Sequence, residues 1–395
     1  MLTIPVATAF SGVFALGVMF SILGSIKLKL AEQLKIDDAK AGRLISALMF
    51  SSMVFLLLIG PLTDMLGFKL IALVGFGAGA VCVWLLASAK SYISAFIACL
   101  LLGGAAMCVN TVGNTLGPNV LFDGENPAAA SNLLNVFFGI GAFITPLIVV
   151  ALLKKVGYKA TVGVIGAILL IPIAYTVAGT FPEPPEGFRI TQALSLLTKG
   201  GVLVGGLCLF CYMSLEITLA GFITTYLKSH DISDEKAGTV LSGFWIALMI
   251  ARLVAAFTVG GGIVVYVVPA LALVSMLSIS TMVLAKTAGL GVLATLVTGL
   301  AIGPIFPTLV GATFSKTEVS GSVFGIIFAI GLLGGIFVPS LIGKYAAQMN
   351  IRQSLRILVV MAAGLIVASA VLGFAIPDAD PVEPPAAQAA IQVDQ

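Results

Sequence analysis

The recurrence of long apolar runs limits the folds open to this chain more than any other feature. Runs of about 20 uncharged, mostly aliphatic residues follow one another along most of the sequence, and each is long enough to cross a bilayer as an α-helix. Only 9% of the residues are charged, against roughly 25% in soluble domains. We therefore predict an integral membrane protein whose surroundings are the lipid bilayer.

Breaks at charged, Pro-rich or Gly-rich positions divide the chain into twelve predicted membrane helices. We predict an N-terminal six-helix bundle at 1–180, a central linker at 181–199 and a C-terminal six-helix bundle at 200–375. The tail at 376–395, rich in Pro, Ala and Asp, is predicted to be disordered. The predicted helices are 5–26, 42–63, 68–88, 92–118, 129–153, 157–180, 200–227, 237–259, 262–285, 288–313, 320–346 and 353–375.

A sequence repeat links the two halves. The segment "IDDAKAGRLISALM" begins at Ile36, and "ISDEKAGTVLSGFW" begins 196 residues later at Ile232. Each copy stands between the first and second predicted helices of its half, which favours duplication of a six-helix unit over chance similarity between two Asp-capped helix starts. Five residues recur, with Asp38, Lys40, Ala41, Gly42 and Ser46 returning as Asp234, Lys236, Ala237, Gly238 and Ser242.

Composition and residue types disfavour several function classes. The net charge of +3 forms no basic patch, so nucleic acid is not an expected partner. The five cysteines lie in apolar runs and the chain has a single histidine, His230, so we predict packed thiols and no metal site. Because no nucleophile, base and orienting group form a recognisable set, we expect neither an enzyme nor a cofactor.

The loop "GPLTDMLGFK" at 60–69 resembles the loop signature of the major facilitator superfamily, Gly-x-Leu-x-Asp-Arg-x-Gly-Arg-Lys. The resemblance implies a gating or structural role for Gly60, Asp64 and Gly67. The glycines permit a tight turn and close helix approach, and Asp64 is expected to cap or bridge to a neighbouring helix in one conformation. Met65 and Phe68 replace basic residues of the signature. The matching residues are Gly60, Leu62, Asp64, Gly67 and Lys69.

Three further stretches resemble one branch of that superfamily, the fucose permease-like and sodium-glucose transporter-like sugar symporters. They are "CYMSLEITLAGFITTYL" (211–227), "GLAIGPIFPTLVG" (299–311) and "GLLGGIFVPSLIG" (331–343), which are similar to helices 7, 10 and 11 of the branch. The resemblance implies an all-α membrane protein of two pseudo-symmetric six-helix bundles. We expect a monomer in the plasma (inner) membrane. One departure is Asn110, which stands in helix 4 where proton-coupled relatives tend to carry a carboxylate.

Two ionisable residues lie within predicted membrane helices. Glu216 is near the middle of helix 7 and Arg252 is in helix 8. An ionisable side chain at membrane depth costs roughly 2.5–3.5 kcal/mol on insertion scales, so both are functional candidates. Glu216 is predicted to couple transport, either by exchanging a proton or by coordinating sodium. The alternative is a structural ion pair with Arg252, for which we favour a structural or gating role unless the substrate is acidic.

Amide and aromatic side chains complete the predicted binding site. Asn110 and Asn114 share one face of helix 4, and Asn132 and Asn135 share one face of helix 5. Amides donate and accept hydrogen bonds, which suits a polyhydroxylated solute, although they also join helices within membranes. Aromatic rings stack on sugars, or simply pack. The predicted substrate-binding residues are Asn110, Asn114, Asn135, Tyr212, Glu216 and Trp245.

These features favour a secondary active transporter of a small polar solute, a sugar or a related compound, that works by alternating access with proton or sodium coupling. The alternatives are an exporter of amphipathic compounds or lipids, an uncoupled facilitator, and a receptor or scaffold that has lost transport. The solute, the ion and the direction of transport stay open.

The loop charges conflict with the expected orientation. Four of the 20 Lys and Arg residues lie on the side of the N-terminus and nearly all the others lie opposite. The positive-inside rule would place the N-terminus outside, whereas the resemblance places both termini in the cytoplasm. We follow the resemblance. The four residues are Lys69, Arg189, Lys199 and Lys316.

Overall fold

Long helices make up nearly all of the protein. The computed structural model describes residues 3–184 and 190–378, and within those ranges all regular structure is helical. A short helix, Ile190–Ser195, precedes the second half of the chain. The membrane-crossing helices are α1 Ile4–Leu34, α2 Asp38–Leu66, α3 Phe68–Ser88, α4 Tyr92–Val120, α5 and α6 within Pro127–Thr176, α7 Gly200–Lys228, α8 Asp234–Thr258, α9 Val264–Leu284, α10 Ala288–Ser315, α11 Gly321–Gln348 and α12 Ile351–Ala375.

The 50-residue run Pro127–Thr176 is two membrane helices joined at Gly157. Gly157 has φ 78° and ψ 174°, a backbone conformation that is open almost only to glycine. It divides the run into α5 (127–156) and α6 (158–176), and two lysines, Lys154 and Lys155, stand just before the break. The described chain therefore crosses the membrane twelve times, and the predicted fold of twelve helices in two six-helix bundles is confirmed.

The two copies of the sequence repeat fold alike. Each begins a helix at its recurring aspartate, Asp38 for α2 and Asp234 for α8. The Ser46 hydroxyl donates to the Gly42 carbonyl at 3.3 Å, and the Ser242 hydroxyl donates to the Gly238 carbonyl at 3.1 Å. The exact domain boundaries stay predictions, and 185–189 of the predicted linker and 379–395 of the predicted tail lie outside the described residues.

Within each half, glycines allow two backbones to approach closely. In the first half, a Cβ added at Gly17 of α1 would overlap the backbone carbonyl of Phe138 in α5. In the second half, a Cβ added at Gly334 of α11 would overlap the carbonyl of Phe210 in α7. Lipid gives helices little hydrophobic reason to associate, so close packing at small residues is a main source of stability. Because the two contacts join α1 with α5 and α7 with α11, they occupy equivalent positions in the two bundles.

Candidate functional site

A cavity of about 430 Å³ lies between the two halves, bounded by α1, α5 and α8. Its part of α5, from Phe138 to Pro146, lies midway between Pro127 and Gly157. The cavity therefore lies near the middle of the membrane. Its walls are mainly aromatic and aliphatic, with two hydroxyls and one cation. The side chains that matter below are Phe20, Ser21, Phe138, Ser242, Trp245 and Arg252.

Arg252 holds together three helices at the edge of this cavity. Its Nη2 lies 3.3 Å from Glu216 Oε1 and donates to the Tyr212 hydroxyl at 3.2 Å, and its Nε donates to the Gly303 carbonyl at 2.8 Å. The side chains of Arg252 and Glu216 are only 5% and 15% exposed. Tyr212 is completely buried. The sequence-predicted residues Tyr212, Glu216 and Arg252 thus form one cluster that joins α7, α8 and α10.

The sequence of α10 explains why Arg252 finds an acceptor there. A helical carbonyl normally accepts from the N–H four residues later, and for Gly303 that residue is Pro307, which has no N–H. The helix is interrupted at 303–304, between Ala288–Ile302 and Ile305–Ser315. Because an unsatisfied carbonyl is costly within a membrane, the guanidinium of Arg252 supplies the missing hydrogen bond.

Trp245 and Arg252 line the cavity from one face of α8, since seven residues correspond to two helical turns. Trp245 packs edge-on against Phe244, with ring centroids 5.6 Å apart. Tyr212 and Glu216 contact Arg252 but are not themselves part of the cavity lining. Of these four predicted residues, Trp245 and Arg252 therefore face the cavity. Tyr212 and Glu216 are connected to it only by their hydrogen bonds with Arg252.

The three predicted binding amides are hydrogen-bonded to one another. Asn135 Nδ2 of α5 donates to Asn114 Oδ1 at 3.1 Å, and Asn114 Nδ2 donates to Asn110 Oδ1 at 2.8 Å. All three are buried, and the lining of this cavity does not include them. In this conformation the amides join α4 to α5.

Asn132 makes a separate contact between the two halves. Its Nδ2 donates to the Thr308 hydroxyl of α10 at 2.9 Å, while its Oδ1 is buried without a hydrogen bond to any described residue. Asn126 also crosses between the halves, by donating to the Val259 carbonyl at 3.1 Å. Both asparagines lie near the start of α5, on the N-terminal side of the membrane.

Asp64 closes the same side of the membrane by capping α11. The first four N–H groups of a helix have no partner within it, and here all four are satisfied. Asp64 accepts from Gly321 N at 2.6 Å and from Ser322 N at 2.8 Å. Ser320 accepts from the next two, Val323 N at its hydroxyl and Phe324 N at its carbonyl, each at 3.1 Å.

Beside this cap, the backbones of Gly60 and Gly321 meet without room for a side chain on either. The halves are thus joined on the N-terminal side.

A family model described as "Major Facilitator Superfamily" matches residues 8–339. The chain belongs to the major facilitator superfamily. The members named below are transporters, and the arrangement of two bundles around a cavity that is closed toward one side fits movement of a solute between the halves.

Several superfamily members are similar to this chain. A "Glucose/galactose transporter" of Brucella abortus biovar 1 (strain 9-941) is 22% identical over 315 residues, which is 74% of this chain and 75% of the relative. A crystal structure of the transporter FucP in the outward conformation superposes with a TM-score of 0.79 at 18% identity and covers 93% of this chain and 98% of FucP. The human organic anion transporter MFSD10 gives a TM-score of 0.71 at 14% identity and covers 92% and 98%.

The cavity residues of α1 and α5 were not predicted from the sequence, and among them are Phe20, Ser21 and Phe138. The parts of α1 and α5 that line the cavity are apolar on nearly every side, so hydrophobic periodicity does not separate a face that lines a cavity from one that faces lipid. The partners of Asp64 in this superfamily member were also missed, because Gly321 and Ser322 are more than 250 residues away in the chain.

Asn114→Leu is expected to lower the stability of the folded transporter by about 0.6–2 kcal/mol, the range for a hydrogen bond between membrane helices. Asn114 is the middle member of the amide chain, so its loss removes the bonds to Asn110 and Asn135 together. Thermal unfolding in detergent measures the change, with the exposed Asn119→Leu of the same helix as control. An unchanged unfolding temperature would contradict the joining role, and a raised transport KM would identify Asn114 as a solute ligand.

Proposed function

We propose that this superfamily member is a secondary active transporter of a small polar solute, a sugar, coupled to protons or sodium through Glu216. The observation that carries the proposal is the buried cluster of Glu216, Arg252 and Tyr212 at the edge of a cavity between the halves. Ionisable groups at membrane depth are retained for function. The similar proteins named a glucose/galactose transporter and FucP, whose Escherichia coli form is described as a fucose:proton symporter, support the same solute class.

The cavity suits a solute of sugar size. Its volume of about 430 Å³ exceeds that of a monosaccharide, and Trp245, Phe20 and Phe138 offer flat apolar surfaces on which a sugar ring can stack. Ser21 and Ser242 add hydroxyl oxygens that can accept from sugar hydroxyls. The binding role of Asn110, Asn114 and Asn135 remains part of the proposal and applies to a conformation in which α4 and α5 present them to the solute.

Glu216 is the proposed coupling residue because, among the described residues, it is the acid near the middle of a membrane helix, whereas the other buried acid, Asp64, lies two residues from the end of α2. In α4, Asn110 replaces the expected acid. Glu216 contacts Arg252 through one oxygen, so binding of a proton, or of sodium, would weaken that contact and change how α7 is tied to α8 and α10. Transport would then depend on the state of one carboxyl group.

Glu216→Gln is expected to abolish uptake against a gradient while exchange of bound solute continues, because the amide keeps the shape of the side chain but cannot exchange a proton. Uptake into proteoliposomes with and without ion gradients measures both activities. Glu235→Gln, at an exposed position in the first turn of α8, is the matched control. Normal gradient-driven uptake by the Glu216 variant would refute the coupling role. If no polar solute moved or raised the unfolding temperature, export of amphipathic compounds would be favoured.

We also propose a monomer in the plasma (inner) membrane with both termini in the cytoplasm. In that orientation, the side closed by Asp64 is cytoplasmic. A compartment-sensitive reporter fused to the C-terminus is expected to be active only in the cytoplasmic orientation. Activity only outside would reverse the orientation, as the distribution of loop lysines and arginines predicts.

A further inference from the structure

The cavity and the charge cluster together narrow the chemistry of the solute. Building on the transport function proposed above, we infer that the solute is a sugar acid. Its carboxylate binds Arg252 after a proton has neutralised Glu216, so that one proton and one anion cross the membrane together.

The cavity offers an anion one strong ligand. Arg252 is the only charged side chain in the described lining, and no carboxylate lines the cavity. The two hydroxyl protons are already used, since Ser21 donates to the Ala142 carbonyl at 2.9 Å and Ser242 to the Gly238 carbonyl at 3.1 Å. These hydroxyls therefore present oxygen acceptors, which suit sugar hydroxyls but not a carboxylate.

The guanidinium of Arg252 has N–H donors that make no hydrogen bond to a described residue. Its Nε and Nη2 make the bonds described above, whereas Nη1 has no hydrogen-bond partner among the described residues. An arginine binds a carboxylate best through two parallel N–H···O bonds of about 2.7–2.9 Å. Glu216 instead reaches Nη2 through one oxygen at 3.3 Å. A solute carboxylate that engaged Nη1 and Nη2 together would form the stronger pair.

The balance of buried charge requires the proton and the anion to bind together. With Glu216 ionised, the pair with Arg252 has no net charge. A bound anion alone would leave one negative charge, and a bound proton alone would leave one positive charge, each costing several kcal/mol in a medium of low dielectric constant. Binding both restores neutrality. The same pair can therefore serve as binding site and coupling device.

In the described parts of α7, α8 and α12, the other acidic and basic residues lie toward the helix ends, away from the cluster of Tyr212, Glu216 and Arg252. They are Lys228, Asp234, Glu235, Lys236, Arg352 and Arg356. Tyr212 and Glu216 belong to α7 and Arg252 to α8. The neighbouring segments 4–26, 127–153, 288–315 and 321–343 contain no Asp, Glu, Lys, Arg or His. A dependence of solute binding on pH in the cavity would therefore report Glu216.

Uptake by the full chain in proteoliposomes tests the inference without any variant. The probes are glucuronate and galacturonate, compared with glucose and galactose, under an inward proton gradient and with the membrane potential set by potassium and valinomycin. We expect uptake of an acid that responds to the pH gradient and is unchanged by the potential. A step that carried one net charge would instead change the accumulation ratio about 50-fold at about 100 mV.

Trp245 provides a binding readout. In a Trp84→Phe background it is the single tryptophan, because the chain has 2, and Trp84 lies outside the cavity, where it donates to the Gly163 carbonyl. Galacturonate affinity is expected to fall about tenfold for each unit rise in pH, since one proton binds with each anion. Glu216→Gln should make binding independent of pH. Arg252→Gln should weaken it at least about 30-fold.

The outcomes separate this inference from the proposed function. Uptake of glucose or galactose without the acids would overturn the inference and leave sugar transport standing. Acid uptake that followed the membrane potential, or galacturonate binding that did not depend on pH, would also overturn it. Absence of uptake of all four probes would overturn both the inference and the proposed sugar transport.

Discussion

Gly60→Val is expected to reduce transport about 10- to 100-fold, because the side chain cannot be accommodated where α2 meets α11. A Cβ on Gly60 would overlap the carbonyl group of Gly321, and these are backbone atoms that cannot rotate away. Overpacking of this kind costs about 1–3 kcal/mol. A cost of this size lowers the population of the closed state about 10- to 100-fold. The clash exists only while the N-terminal side is closed, so the variant should fold and accumulate in the opposite conformation.

Labelling of a cysteine on the closed side measures the change in the population of the closed conformation. With the native cysteines replaced, Ser322→Cys places a thiol at a position that is buried at this contact. It should react slowly with a maleimide in the parent and about 10- to 100-fold faster in the Gly60 variant. Gly42→Val is the control on the same helix, because a Cβ at Gly42 meets open space. Unchanged labelling and normal uptake in the Gly60 variant would show that this crossing does not need to close.

Asp64→Asn is expected to weaken the same closed side by about 2 kcal/mol. The carboxylate accepts from two N–H groups at the start of α11, and an amide offers only one oxygen and no charge. Hydrogen bonds to charged groups contribute about 1.5–3 kcal/mol, and a negative charge at a helix N-terminus adds about 0.3–1 kcal/mol. The variant should therefore label faster at Ser322→Cys and transport more slowly.

Asp64 and Gly60 can be tested together. Both contact Gly321, so their effects should not add in the double variant. If Gly60→Val already separates α2 from α11, the added Asp64→Asn should change labelling little. Asp123→Asn, an exposed aspartate near the same side, is the charge control. Fully additive effects, or an Asp64→Asn protein that labels like the parent, would contradict a shared role in closure.

The fold was predictable from the sequence because its determinants are local. Runs of apolar residues, the repeated segments at Ile36 and Ile232, and the loop at 60–69 each report on a neighbourhood of a few residues. Gly157 is an example: the sequence predicts a break just before it, and the structure places the junction of α5 and α6 at this residue.

The site was only partly predictable, because long-range contacts and helix orientation decide it. Glu216 and Arg252 were identified from the sequence by their charge alone. An ion pair between them was one of two interpretations, and a coupling role for Glu216 was the other. Asn110 and Asn114 lie on one face of α4, as their spacing predicts, but spacing does not show whether that face meets a cavity or Asn135 of α5. Phe20 could not be predicted as a cavity residue because its part of α1 is apolar on nearly every side.

The hydrogen bond from Arg252 to the Gly303 carbonyl predicts that positions 252 and 307 vary together in evolution. A residue with an N–H at position 307 would satisfy that carbonyl within α10 and remove the acceptor that orients Arg252. Pro307 is therefore a determinant of the site although it contributes no ligand. Among homologous sequences, those that lack a proline at position 307 should also lack an arginine at position 252 more often than the others. Counting the residue pairs at these two positions in an alignment tests this expectation.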